Sequence, residues 1–280
     1  PAERRSEGVS AGAKDHAPQR DNGPAILWIA GAYGIVVILL HVVFSFSFSP
    51  LAWSVNFFAF LPPYALIVYV VVSAAILMLC LRGYLTRPVA ALGEMMDRHP
   101  VALLIGLIAA MNAAAFLLRI KVPLLGDSYV IMNNFKYTQR GGHELNLSSE
   151  PLAQIFFFEA MRLLRANTYD AILNGFLWAE MALQTVFIGV VFVICRAISV
   201  DGRTRALLLL YLLAIPSMQV FLGYAEIYAA VLAVTAIFLM TVIGYLERDW
   251  WFGWVPAAFV LMVVTHLLSV LFLPALAYVV

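Results

Sequence analysis

Seven apolar runs, each about as long as a bilayer crossing, dictate what this chain can become. They cover Ala25–Phe46, Leu61–Leu81, Val101–Leu118, Ala171–Cys195, Ala206–Leu222, Ile227–Leu246 and Trp254–Tyr278. A helix needs roughly 20 apolar residues to cross the hydrocarbon core. Of the 280 residues, 64% are hydrophobic and 12% charged, about half the charge of a soluble domain, so the solvent for most of the surface must be lipid. The pattern predicts an all-α polytopic membrane protein with about seven transmembrane helices. The fifth run is the shortest, and Pro216 is expected to kink or end it.

Several classes drop out. A net charge of +1 with no basic cluster and no Cys/His ligand spacing argues against a nucleic-acid partner. Cys80 and Cys195 are too few and too far apart for a disulfide framework or a metal site, so both are expected to be free. Residues 1–24 form a polar tail with four basic and four acidic side chains and are expected to be disordered. The first run is too long for a signal-peptide core and is read as a retained anchor. The chain opens on Pro1 and stops inside an apolar run at Val280, so a longer parent protein is expected.

The basic residues set an orientation. Arg4, Arg5, Lys14 and Arg20 precede the first run; Arg82, Arg87 and Arg98 lie in the second connection, Arg196, Arg203 and Arg205 in the fourth, and Arg248 in the sixth. Connections 47–60 and 217–226 have no Lys or Arg. This alternation predicts a cytoplasmic N-terminus in an inner (cytoplasmic) membrane, with the third connection, 119–170, outside.

That outer loop contains the long polar segment Gly126–Pro151, GDSYVIMNNFKYTQRGGHELNLSSEP. After it, Pro151–Arg165 carries an apolar side of Leu152, Ile155, Phe156, Met161 and Leu163, interrupted by Gln154, Glu159, Arg162 and Arg165. Pro151 suits a first helical turn that Ser149 or Glu150 would cap. The composition predicts an interfacial helix in the headgroup plane, with direct continuation into the next run as the plainer alternative.

Asp127 follows the third run, with Arg119 and Lys121 before it. A guanidinium forks onto phosphate and an ammonium serves as a point charge, so this pair would suit a lipid phosphate. A solvated acid in a Gly-Asp-Ser turn is the ordinary alternative. Glu226 is the only charge in the connection Pro216–Glu226 and stands among Phe221, Tyr224 and Tyr228. Such placement costs desolvation unless the acid is used, although a helix N-terminus also favours an acid. Glu180 and Gln184 lie one turn apart within the fourth run, where interhelical hydrogen bonding is the ordinary explanation. His266 with Ser269, and Asn112, receive the same reading; His143, after two glycines, reads as a solvated loop residue.

Gly126-Asp127-Ser128-Tyr129, Ser149-Glu150-Pro151-Leu152 and Gly223-Tyr224-Ala225-Glu226-Ile227-Tyr228, around an outer loop with an interfacial helix, resemble the GT-C glycosyltransferase superfamily. The resemblance covers about residues 100–280 and rests on short motifs. It implies a GT-C-like core at 100–280, preceded by an added two-span module at 25–99, with later spans beyond Val280. It also implies transfer of a sugar from a polyprenyl-phosphate carrier to an extracytoplasmic glycan, lipid or protein acceptor. Asp127 matches the family's catalytic acid and would act as general base. Glu150, Glu226 and Tyr224 are candidates for substrate binding; Arg119 and Lys121 at the phosphate rest on their charge alone and not on the resemblance. The family's acidic signature is only partly present; a divalent Mg or Mn ion, if the reaction uses one, would fall to Asp127 and Glu226.

Two other classes fit the same composition. A transporter or lipid flippase would use Glu180, Gln184 and His266 near the midplane, but no matching pair of broken spans and no internal repeat accompany them. A non-catalytic membrane scaffold would make the outer loop's charges incidental.

Overall fold

The computed structural model describes residues 23–47, 63–119, 128–139, 150–198, 201–223 and 227–279. Among them every regular element is helical, and the chain divides into two compact units, 1–85 and 86–280.

The first unit contains α1 (Gly23–Phe44) and α2 (Pro63–Leu81). His41 meets Tyr69 with ring centroids 5.2 Å apart, Gly34 faces Leu77 and Gly31 faces Leu81. One number rises as the other falls, so the helices form an antiparallel hairpin. No residue of α2 is buried, and Ile67, Val71 and Ile76 are exposed. Such a surface is stable where lipid covers it.

The second unit runs α3 (Thr86–Arg98), α4 (Pro100–Leu118), α5 (Ser128–Gln139), α6 (Pro151–Leu163), α7 (Tyr169–Ala197), α8 (Gly202–Leu213), α9 (Tyr228–Arg248), α10 (Trp254–Thr265) and α11 (Leu273–Val279). Short 3-10 segments, Pro216–Phe221 and Leu267–Phe272, follow α8 and α10. Among the described residues four helices, α2, α4, α7 and α9, are long and apolar enough to cross a membrane, and residues 31–44 of α1, α10 and the segment 267–279 are shorter apolar stretches. The fifth apolar run is divided between α8 and the 3-10 turn that begins at Pro216, as a residue without an N–H would dictate. The seventh is broken at His266, whose extended backbone separates α10 from the second 3-10 segment.

The unit boundary falls after Leu85, whereas the sequence reading put it at 99. The reason is α3, which that reading treated as a connection. It buries Val89, Gly93 and Met96, residues one helical face apart, against α8. Gly93 allows the contact: a Cβ there would lie 2.3 Å from the Gly202 carbonyl oxygen. Arg205 of α8 then forks onto Asp97 of α3 with bonds of 2.7 and 3.2 Å.

At the centre stands α7, flanked by α4, α5, α6, α8 and α9. Across it, Asn112 of α4 donates to the Thr185 hydroxyl at 3.0 Å, and α9 presents Ala229, Ala230, Ala233 and Ala236 as a buried small-residue face. Small side chains let helix backbones approach closely, which supplies much of the attraction between helices in lipid. Arg248, ending α9, donates from Nη2 to the carbonyls of Arg196 and Ala197, so these two helix ends lie level.

Candidate functional site

The polar segment of the sequence is less irregular than its composition suggested. Ser128–Gln139 is a helix, and its Met132 and Phe135 are buried. Phe176 of α7 explains why: it stacks on Phe135 at 5.6 Å and on Phe157 of α6 at 4.9 Å, tying both helices to one point. Close packing of α6 on α7 needs Gly175, where a Cβ would collide with the Met161 sulfur.

α6 ends as a Schellman turn. The Ala166 N–H donates to the Met161 carbonyl and the Arg165 N–H to that of Arg162, with Arg165 in the left-handed region at φ 52°. Thr168 then caps α7 by accepting from the Ala171 N–H at 3.2 Å. The face that α6 buries is Ala153, Phe157 and Met161, spaced by four. Of the residues the sequence reading assigned to its apolar side, Met161 is buried, while Ile155, Phe156 and Leu163 are exposed. The helix is apolar around more of its circumference than a single core-facing stripe requires.

Pro151 opens α6 as expected, and Glu150 holds the N-cap position but makes no side-chain capping bond. Its carboxylate turns elsewhere. Oε1 lies 3.7 Å from Nε2 of His266, and Oε2 accepts from Gln154 at 3.4 Å. Both members of the Glu150–His266 pair are largely withdrawn from solvent, with side chains 15% and 11% exposed. The break after α10 sets the imidazole: Nδ1 accepts the Leu268 N–H at 3.2 Å. With Nδ1 used as acceptor, a neutral ring carries its proton on Nε2, the nitrogen facing Glu150. Tyr228, first residue of α9, stacks on the same ring at 5.9 Å. Three elements thus converge on one acid–imidazole–phenol cluster. In the sequence Glu150 and His266 belong to different hypotheses, and Tyr228 enters as a neighbour of Glu226 and the end of the Gly223–Tyr228 motif.

A second cluster forms where Glu180 of α7 meets Gly223, ahead of α9. Glu180 is fully buried, and its Oε2 accepts the Gly223 N–H at 2.6 Å. Gly223 has φ +74°, a left-handed backbone that glycine adopts without penalty. Arg119 borders it, since a Cβ at Gly223 would sit 3.8 Å from the Arg119 Cβ. The Arg119 guanidinium lies over the Phe116 ring at 4.7 Å, and Phe116 packs against Trp178. Seventeen residue steps put Glu180 about 26 Å up α7 from Ala197, against about 30 Å for all of α9. It therefore stands near the Tyr228 end of α9 rather than at mid-height. Gln184, one turn below, is also buried.

Asp127, Lys121, His143, Tyr224 and Glu226 lie outside the described residues. Among the described residues, no three His, Cys, Asp or Glu side chains gather closely enough to hold a metal ion. Glu150 and His266 supply two donors, and a divalent centre would need more. No protein-family model, no curated protein and no solved structure matches this chain.

Proposed function

We propose that the chain is an integral-membrane glycosyltransferase of GT-C type, moving a sugar from a polyprenyl-phosphate donor to an acceptor hydroxyl on the extracytoplasmic side of an inner membrane. In this reading all seven apolar runs cross the bilayer, the fifth and seventh as broken elements, and α6 lies along the outer interface. Exposed Ile155, Phe156 and Leu163 on a helix that also carries Glu159 and Arg162 support that position.

The observation that carries the proposal is the convergence of Glu150, His266 and Tyr228 beside the start of α6. A phosphate-linked sugar already has a good leaving group, so the protein must chiefly position the acceptor, accept its proton and stabilise the departing phosphate. The acceptor oxygen bonds to the anomeric carbon as the bond from that carbon to the phosphate oxygen breaks. The proton passes to a carboxylate, for which Asp127 is the proposed base. Glu150, oriented by His266, binds the acceptor with Tyr224 and Glu226, and Arg119 and Lys121 meet the phosphate. The carrier alternative is weaker because Glu180 has a structural partner in Gly223.

The test is transfer from a panel of radiolabelled polyprenyl-phosphate sugars by the chain reconstituted in proteoliposomes. Asp127→Asn and Glu150→Gln are expected to abolish or sharply reduce transfer, while Glu180→Gln retains it in whatever fraction folds. Full transfer by both of the first two variants would overturn the assignment; loss of transport activity with Glu180→Gln alone would favour the carrier.

A further inference from the structure

At the opposite end of the bundle from Glu150, the start of α4 and the ends of α7 and α9 enclose an open groove of about 630 Å³. Its apolar lining includes Val101 and Leu104 of α4 and Val193 of α7. Arg196, Arg248 and Trp250 line it beside them. No acid lines it; Glu247 and Asp249 flank Arg248 in sequence but lie outside the lining.

We propose that this groove binds an anionic phospholipid, the headgroup phosphate between Arg196 and Arg248 and an acyl chain along Val101, Leu104 and Val193. The two cations differ in state. Arg248 is fixed, because its Nη2 already bonds the carbonyls that end α7. Only that nitrogen is used among the described residues, leaving the rest of the guanidinium for phosphate. Arg196 is exposed, and its side chain makes no hydrogen bond or ion pair with any described residue. Trp250 packs onto α9: a Cβ at Gly244 would meet its ring at 2.2 Å. Exposed Trp251 and Trp254 follow it, the aromatic band that marks a membrane–water boundary. Cations along one edge with apolar side chains beside them suit a diacyl anion, whereas a free phosphate would use only the cations.

The experiment is native mass spectrometry of the purified chain titrated with phosphatidylglycerol or with phosphatidylcholine of the same acyl length, alongside inorganic phosphate. Phosphatidylglycerol should be retained at lower concentration than phosphatidylcholine, and Arg196→Gln should weaken it about fivefold while leaving phosphatidylcholine unchanged. Arg196→Lys should keep most of the preference. Val193→Trp, which fills the apolar wall without altering charge, should weaken both lipids. Equal retention of the two lipids by the unaltered chain, an unaffected Arg196→Gln variant, or binding of phosphate as tight as that of the lipid would each overturn the proposal. The unaltered chain's preference decides the matter even if a variant fails to fold.

Discussion

The carboxylate of Glu180 and the backbone N–H of Gly223 meet at 2.6 Å inside the bundle, the one place where a charged side chain of α7 is fully buried among the described residues. This bond closes the chain after the Pro216–Phe221 turn back onto α7. It turns an acid that would be costly in an apolar interior into the fastener of an irregular segment.

Removing the acceptor should therefore loosen that segment. Glu180→Leu strands a buried N–H and is expected to cost about 2 kcal/mol or more, whereas Glu180→Gln keeps an acceptor and should cost about 1 kcal/mol. Gly223→Ala should cost about 1–2 kcal/mol because the left-handed backbone disfavours any Cβ. Thermal unfolding in detergent would check the order. Equal midpoints for the Leu and Gln variants would show that the bond contributes nothing.

The α3–α8 crossing gives a second prediction with its own control. Gly93→Ala pushes a methyl into the Gly202 carbonyl and is expected to destabilise by about 1–3 kcal/mol. Gly106, in α4, has open space around its missing Cβ, so Gly106→Ala should stabilise by up to about 1 kcal/mol. Opposite signs from the same substitution would show that backbone contact, not helix propensity, decides the outcome at Gly93.

Membrane character was legible because lipid selects long apolar runs directly, and Pro216 announced its own break. The helix α3 was not, although Val89, Gly93 and Met96 carry its period. Its polar face with Glu94, Asp97 and Arg98 reads as a connection until α8 supplies a partner. α5 was hidden for the same reason: Met132 and Phe135 are only two anchors in a polar segment, and Phe176 is needed to use them. Sequence distance also concealed the pairing of Glu150 with His266, since nothing local tells an acid before one helix that a histidine after another will face it. The positions of Arg119 and Gly223 show the reverse case, two residues singled out for different reasons and brought side by side.

Acid should unfasten the start of α8. Asp201 caps it, accepting from the Thr204 hydroxyl at 2.7 Å and from the N–H groups of Thr204 and Arg203. These bonds, the Thr204 hydroxyl foremost, hold its carboxyl below the usual carboxylate value. A lowered folded-state value means that the stabilisation is complete above the unfolded value, about 3.9, and is lost as pH falls through the folded one. The unfolding midpoint of Asp201→Ala should lie below that of the unaltered chain by a constant margin from about pH 6 to 8. That margin should shrink on acidification below about pH 4. A margin independent of pH would mean that the cap does not depend on the charge.

Glu150 and His266 should behave as one unit in catalysis. If the carboxylate binds the acceptor only while the imidazole, fixed through Leu268, holds it in place, then Glu150→Gln and His266→Gln each remove the same arrangement. Each single change is expected to lower kcat/KM by about 10²–10⁴, and the double variant should lose little more than the worse single one. Tyr228→Leu, which removes the ring stacked on His266, should have a smaller effect of the same kind, and Tyr228→Phe should keep most of the activity because the stacking survives. Losses that multiply in the double variant would separate the two residues into independent roles. Undiminished transfer by His266→Gln would leave Glu150 acting without the histidine, and the cluster would then be a packing contact at the foot of α6.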